Sequence, residues 1–161
     1  MEAKNVLEII RETGDWEVPS SQEDSYTANQ MIAAYSMGKE VGKNEEKERS
    51  IRQLQTNLDY TADYTIQVIE KLAELGIETQ TAHMRFASPK VFDVLVVVDE
   101  GETLKPDFLK IYDFTHSLKS SVNNINYNIS FMFVENCNNL DEASIFSDGY
   151  IFSISQDRVA A

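Results

Sequence analysis

The pattern of hydrophobic and polar positions in this 161-residue chain is clearest at Val94–Val98, where five aliphatic residues follow one another. Four of the five are valine, whose β-branched side chain favours strands. A continuous apolar run of this length is typical of a strand that is buried on both faces of a sheet. The run therefore predicts a central strand over residues 91–98.

Before Gly76 the apolar positions follow a helical period. From Ile51 to Leu75 they recur in alternating steps of three and four residues, the spacing of a coiled coil or a helical hairpin. A second apolar stripe beside this seam widens the face, which suits a helix packed against two neighbours. The pattern predicts a helix over residues 51–75 with Gly76 as its C-cap.

Two further amphipathic segments precede this helix. Residues 3–12 predict a short helix, and the loop that follows is expected to be anchored by Trp16. A longer helix is predicted from residue 20 to about residue 43, with a row of small residues at Ala34, Gly38 and Gly42. Such a row permits close approach of another backbone; alternatively, the helix breaks near Gly42. The pattern leaves open whether residues 20–75 form one long helix or two.

After Gly76 the hydrophobic pattern becomes strand-like. It predicts strands over about 77–86, 91–98, 127–134 and 150–154, and a crossover helix over about 105–122. Together with the 51–75 helix, these elements follow in the order α-β-β-α-β-β. We therefore expect an α+β fold. Long N-terminal helices, arranged as a hairpin or a coiled coil, precede a four-stranded mixed sheet with helices on one face.

Length and composition narrow the class of protein. The chain is expected to be one continuous compact unit, with an N-terminal helical region over residues 1–50 and a sheet domain over 51–161 that includes the 51–75 helix. A net charge of −13 argues against a nucleic-acid partner. The single cysteine, Cys137, excludes an internal disulfide framework and favours a cytoplasmic protein. No apolar run approaches the roughly 20 residues of a transmembrane helix, so no membrane partner is expected.

The acidic residues after the predicted central strand are the candidate for metal chemistry. Asp99, Glu100 and Glu102 supply carboxylate oxygens, which are suitable ligands for a divalent cation. Glu135 ends a second predicted strand, and a crossover helix between two parallel strands brings their carboxyl ends together. The pattern therefore permits a metal site formed by these four residues. The alternative is a solvated acidic turn.

No other group of residues completes a catalytic or cofactor site. His83 and His116 have no cysteine or histidine at zinc-binding spacing, and Cys137 has no flanking base. The chain also lacks the glycine-rich phosphate-binding loop that ends in Gly-Lys-Ser or Gly-Lys-Thr. We therefore expect no cofactor, a divalent cation being the alternative.

These observations favour a soluble, non-enzymatic protein that acts through protein–protein contact. Its simplest partner is a second copy, in a homodimer formed through residues 26–75, and another protein is the alternative partner. The expected interface residues come from the small-residue row and the start of the seam: Ala34, Gly38, Gly42, Ile51, Leu54 and Leu58. The alternative function is a metal-dependent enzyme or a small-ligand-binding domain that uses the acidic turn.

Overall fold

The computed structural model describes residues 10, 12–17, 44–137 and 140–155. In this part of the chain, five strands form one sheet: β1 (Trp16–Glu17), β2 (Thr79–Ser88), β3 (Val91–Asp99), β4 (Asn128–Asn136) and β5 (Phe152–Ile154). The three helices are α1 (Asn44–Glu74), α2 (Leu109–Val122) and α3 (Glu142–Ser147). Two short 3₁₀ turns, Glu102–Leu104 and Pro106–Phe108, lead from β3 into α2.

The strands lie in the order β1-β5-β2-β3-β4. All neighbouring strands are antiparallel except β3 and β4, which are parallel and are joined by the crossover helix α2. The mixed α+β class is thus confirmed, but the expectation of four strands is wrong. The fifth strand is Trp16–Glu17, part of the predicted loop, which pairs with β5 through Trp16 and Ile154. A two-residue strand shows no period, so the sequence pattern could not reveal it.

Helix α1 is a single helix of 31 residues whose apolar seam faces the sheet of its own chain. Within the described residues it runs from Asn44, so the charged segment before the seam is helical as well. The two threonines at the centre of the seam, Thr61 and Thr65, are fully buried. Each hydroxyl donates to the backbone carbonyl four residues earlier, at 2.7 Å. Both polar groups are therefore satisfied inside the helix, and the seam does not need a second helix to cover it.

The N-terminal helices predicted over residues 3–12 and 20–43 fall largely or wholly outside the described residues. Ile10 and Glu12, from the first of them, are helical. Trp16 is buried as expected, and its indole N–H donates to the carbonyl of Leu58 at 3.3 Å. This hydrogen bond ties β1 to α1. No long N-terminal hairpin or coiled coil is found in the described part of the chain.

The central strand β3 is buried on both faces, as its sequence predicts. Side chains at even positions, including Val94 and Val96, belong to the large core beneath α1 and α2. Leu95 and Val97 point to the other face and pack with Ile145 of α3 and with Tyr150. The expectation that helices cover one face holds for α1 and α2 only, because α3 lies on the opposite face.

Candidate functional site

The acidic turn after β3 has a defined conformation. Gly101 adopts a φ of 87°, which lets the chain leave β3 and enter the first 3₁₀ turn. The carboxylate of Asp99 accepts a hydrogen bond from the side-chain amide of Gln80. The carboxylate of Glu102 pairs with the Lys105 ammonium at 2.8 Å. Two of the four predicted metal ligands are therefore engaged by side chains of the same chain.

Glu135 reaches this turn in the way that the parallel crossover predicts. It lies opposite Val98 in the β3–β4 register. Its carboxylate accepts hydrogen bonds from the hydroxyl and from the backbone N–H of Thr103. The Thr103 hydroxyl is the main cause that lowers the pKa of the Glu135 carboxyl, and backbone N–H donors of Gly101 and Thr103 add to it. The carboxylate thus fastens the turn to β4.

The four carboxylates do not form a cluster. Glu100 is exposed, and the other three are engaged as described. Among the residues that the structure describes, no group of three or more His, Cys, Asp or Glu side chains is placed to hold a metal ion. A divalent-cation site at Asp99, Glu100, Glu102 and Glu135 stays a prediction.

A cavity of about 220 Å³ lies beside the first half of β2. Its polar lining includes Glu17, Thr79 and His83. The Thr79 hydroxyl is buried and has no hydrogen-bond partner among the residues that the structure describes. The imidazole Nε2 of His83 lies 3.0 Å from the Thr81 hydroxyl, and burial lowers the pKa of this histidine, opposed by the charge of Glu142. The sequence did not indicate that these residues are neighbours, because they are brought together only by the pairing of the strands.

The predicted interface residues divide into two groups. Ala34, Gly38 and Gly42 lie outside the described residues. Leu54 and Leu58 are buried in the large core between α1 and the sheet, and Ile51 packs against that core. Leu54 and Leu58 are therefore covered by their own chain and are not available to a second copy in this fold.

β4 forms one of the two edges of the sheet that the described residues build. This strand pairs with β3 in unbroken register over all nine residues, from Asn128 opposite Val91 to Asn136 opposite Asp99. Among the described residues, no strand pairs with its outer side. Its single charged residue is Glu135, near the end. Natural edge strands are commonly protected by charge, proline or a bulge, and most of β4 carries none of these.

The direction of the backbone groups in β4 follows from a single hydrogen bond. The N–H of Asn128 donates to the carbonyl of Lys90, the residue before β3, at 2.7 Å. Successive residues of a strand turn their backbone groups to alternate sides. The even-numbered residues of β4 therefore bond to β3, and the odd-numbered residues face the free edge.

Two of the four outward-facing residues of β4 are already engaged. The side-chain amide of Asn123 donates to the carbonyl of Ile129 at 3.2 Å and its oxygen accepts from the N–H of Ile129 at 2.9 Å. At the other end, the carbonyl of Glu135 accepts from the N–H of Cys137 at 3.0 Å. Within the part of the chain that the structure describes, Phe131 and Phe133 are the residues of this edge whose N–H and C=O both lack a partner.

Apolar side chains surround these open groups. Leu109, Tyr112 and Met132 are 68%, 49% and 55% exposed. The ring of Tyr112 stands edge-on to that of Phe133, with centroids 5.8 Å apart, so α2 borders the edge on the core side. Met132 borders it on the other face, because it pairs with Leu95. We call the open groups of Phe131 and Phe133 and the three exposed side chains the β4 edge patch.

The region of the β4 edge patch differs in charge from the rest of the protein. Residues 109–134 contain two lysines and one aspartate, a net charge of +1, whereas the whole chain carries −13. Lys110 pairs with Asp107, just outside this range, at 3.0 Å. A negatively charged molecule therefore meets less repulsion at this patch than at the acidic parts of the surface.

Comparison with known proteins identifies no family for the chain, since no protein-family model, no curated protein and no solved structure matches it. In the described ranges, no helix is both long and apolar enough to cross a membrane.

Proposed function

We propose that this protein acts through protein–protein contact, as a homodimer that associates through the β4 edge patch. The observation that carries the proposal is the regular, almost uncharged edge strand whose open backbone groups at Phe131 and Phe133 lie between exposed apolar side chains. An open edge of this kind is a template for pairing with another strand. It takes the place of Leu54 and Leu58 as the expected contact, since both serve the core. The contact predicted through Ala34, Gly38 and Gly42 lies outside the described residues and stays a prediction.

The absence of charge along most of β4 lets a second copy bind here and not elsewhere on the acidic surface. Two chains of net charge −13 repel each other over most of their surfaces. The strand segment Asn128–Val134 has no charged residue, so two copies of it meet without opposing like charges. A partner surface rich in basic residues would instead be drawn to the acidic faces elsewhere on the molecule.

Apolar side chains beyond the strand extend the contact. Leu104 and Ile125 are 85% and 87% exposed and lie near opposite ends of β4. In an antiparallel pair of strands, the end of one lies beside the start of the other. Ile125 of each copy is then carried toward Leu104 of the other, and the contact grows toward the roughly 800 Å² per partner of a standard interface.

Sedimentation velocity over a range of protein concentrations tests the proposal. We expect the wild-type protein to be dimeric at high micromolar concentration and Met132→Lys to be monomeric, because a lysine at an edge disfavours strand pairing. Gln67→Lys is the matched control: it adds the same charge on the exposed side of α1 and should leave the dimer intact. A monomeric wild-type protein, or an unchanged Met132→Lys dimer, would overturn the proposal.

The second candidate function is binding of a divalent cation or a small ligand near the acidic turn. The buried hydroxyl of Thr79, which has no partner in the described ranges, favours it. This group lines the cavity next to Gln80, whose side-chain amide donates to Asp99. Thermal melts with Mg²⁺, Mn²⁺ or Ca²⁺ test the cation. An ion present at a hundred times its Kd should stabilise the native state by about 2.7 kcal/mol. The absence of a shift with all three ions would remove the cation hypothesis.

A further inference from the structure

We infer that two copies of the chain pair their β4 strands antiparallel, about a two-fold axis that passes beside Met132. This inference rests on the proposed function, because it specifies how the β4 edge patch is used. It makes one continuous sheet from the five strands of each copy. The register follows from which backbone groups are open and which are occupied.

The open backbone groups are self-complementary in this register. In an antiparallel pair, two opposed residues that face each other exchange both of their N–H to C=O hydrogen bonds. An axis at Met132 opposes Phe131 of each copy to Phe133 of the other. The N–H and C=O groups of Phe131 and Phe133 in each chain are then all used, in four hydrogen bonds across the axis.

Other registers oppose an open residue to an occupied one. An axis at Phe131 or one residue before it places Ile129 opposite Phe133 or Phe131, although both backbone groups of Ile129 are held by a side chain. An axis at Phe133 or one residue beyond it uses Glu135, whose carbonyl already accepts a hydrogen bond within its own chain. The axis at Met132 avoids both conflicts.

The side chains also match in this register. On the core face, Phe131 lies opposite Phe133, and aromatic side chains form favourable cross-strand pairs. On the other face, Met132 lies opposite Met132, and Ser130 lies opposite Val134. No charged side chain lies opposite another, since the strand is uncharged from Asn128 to Val134.

Disulfide formation between full-length chains tests the register. The background is Cys137→Ser, so that the introduced cysteine is the only one. Residues opposed at the axis without mutual hydrogen bonds have Cα atoms about 4.5 Å apart, within the range that a disulfide bridges. Met132→Cys should therefore give a covalent dimer under mild oxidation, measured on a non-reducing gel.

Two neighbouring cysteines provide the matched controls. Ser130→Cys and Val134→Cys lie on the same face, but each is about 14 Å from its own counterpart, four residues along the pair. Neither should cross-link alone, whereas an equimolar mixture of the two should form a heterodimer. The mixed heterodimer tests the same register in proteins that keep Met132. The register can therefore be tested even if the Met132→Cys protein folds poorly.

The outcomes separate the register from the proposed function. If Ser130→Cys or Val134→Cys cross-links alone while Met132→Cys does not, the axis is elsewhere and the inference is wrong, although β4 still forms the contact. If sedimentation shows a dimer and none of these proteins or mixtures cross-links, the dimer uses another surface and both proposals are wrong. If the wild-type protein is monomeric, both fail together.

Discussion

Asn123 illustrates how one side chain decides where the open edge of a sheet begins. Its amide group satisfies both the N–H and the C=O of Ile129, as a residue of a neighbouring strand would. Asparagine between a helix and a strand is expected to bond nearby backbone. The sequence indicates such a role in general terms, but the choice of Ile129 depends on where the chain places α2 beside β4.

Val96 provides a test of the central strand at the scale of a single residue. Its side chain is completely buried in the large core. Val96→Asp would bury an unpaired charge there, so we expect loss of folding or a severe loss of stability. Glu100→Gln, in the exposed turn, should change the free energy of unfolding by no more than about 0.5 kcal/mol. Urea unfolding of both variants measures this, and a stable Val96→Asp protein would refute the described packing.

The elements of this fold were predicted with unequal success, for a physical reason. Long segments such as α1 and β3 show their period over many residues, so their existence follows from the pattern. β1 has two residues and no period. β5 was predicted as a strand, but it lies beside β2, on the side of the sheet away from β4. The hydrophobic pattern of a segment does not show which other strand it will pair with.

The hydrogen bond between Thr103, in the first 3₁₀ turn, and Glu135, in β4, predicts that the stability of the protein depends on pH in the acidic range. The pKa of Glu135 is lowered in the folded protein, chiefly by the Thr103 hydroxyl. The unfolded chain therefore takes up this proton first as the pH falls below 4.5, the ordinary value. The stabilising contribution of Glu135 is present above that pH and is lost as the pH falls through the folded pKa.

Thr103→Val removes the main hydrogen bond that lowers this pKa. We expect the variant to be less stable than the wild-type protein at neutral pH, and the difference to shrink as the pH falls below 4.5. Thermal or urea unfolding at a series of pH values measures both curves. A difference that is constant with pH would show that Thr103 does not act through Glu135.

At the scale of the whole molecule, charge and shape point to the same surface. The acidic residues give the chain a charge of −13, yet residues 109–134 carry +1 and include the open edge. Helices α1 and α2 cover one face of the sheet, and α3 covers part of the other. β4 is left as an edge without a described neighbour.

This distribution of charge predicts that salt strengthens the proposed dimer. The contact itself is apolar and uncharged, whereas the two bodies repel each other over longer distances. Raising the ionic strength from about 0.01 M to about 0.15 M shortens the screening length from about 30 Å to about 8 Å. The Kd measured by sedimentation should therefore fall over this range. A Kd that rises with salt would indicate ion pairs across the contact and would contradict the β4 edge patch as its site.

The candidate site could be predicted only in part. The meeting of Glu135 with the acidic turn follows from two parallel strands and a crossover, and the structure places it there. The partners of the carboxylates were not predictable, because Gln80 and Thr103 reach them from β2 and from the first 3₁₀ turn. Whether a carboxylate is available to bind a metal ion depends on such neighbouring side chains, and the local sequence pattern does not identify them.

The sequence by itself determined which of the longer segments are helical or extended and which of their faces are apolar, because periodicity records the side chains that avoid water. It therefore indicated the long helix α1, the doubly buried strand β3 and the mixed α+β class. Only the tertiary structure decided what covers each apolar face. It placed Leu54 and Leu58 in the core of their own chain and left β4 at the edge, because the order of strands depends on contacts between distant residues.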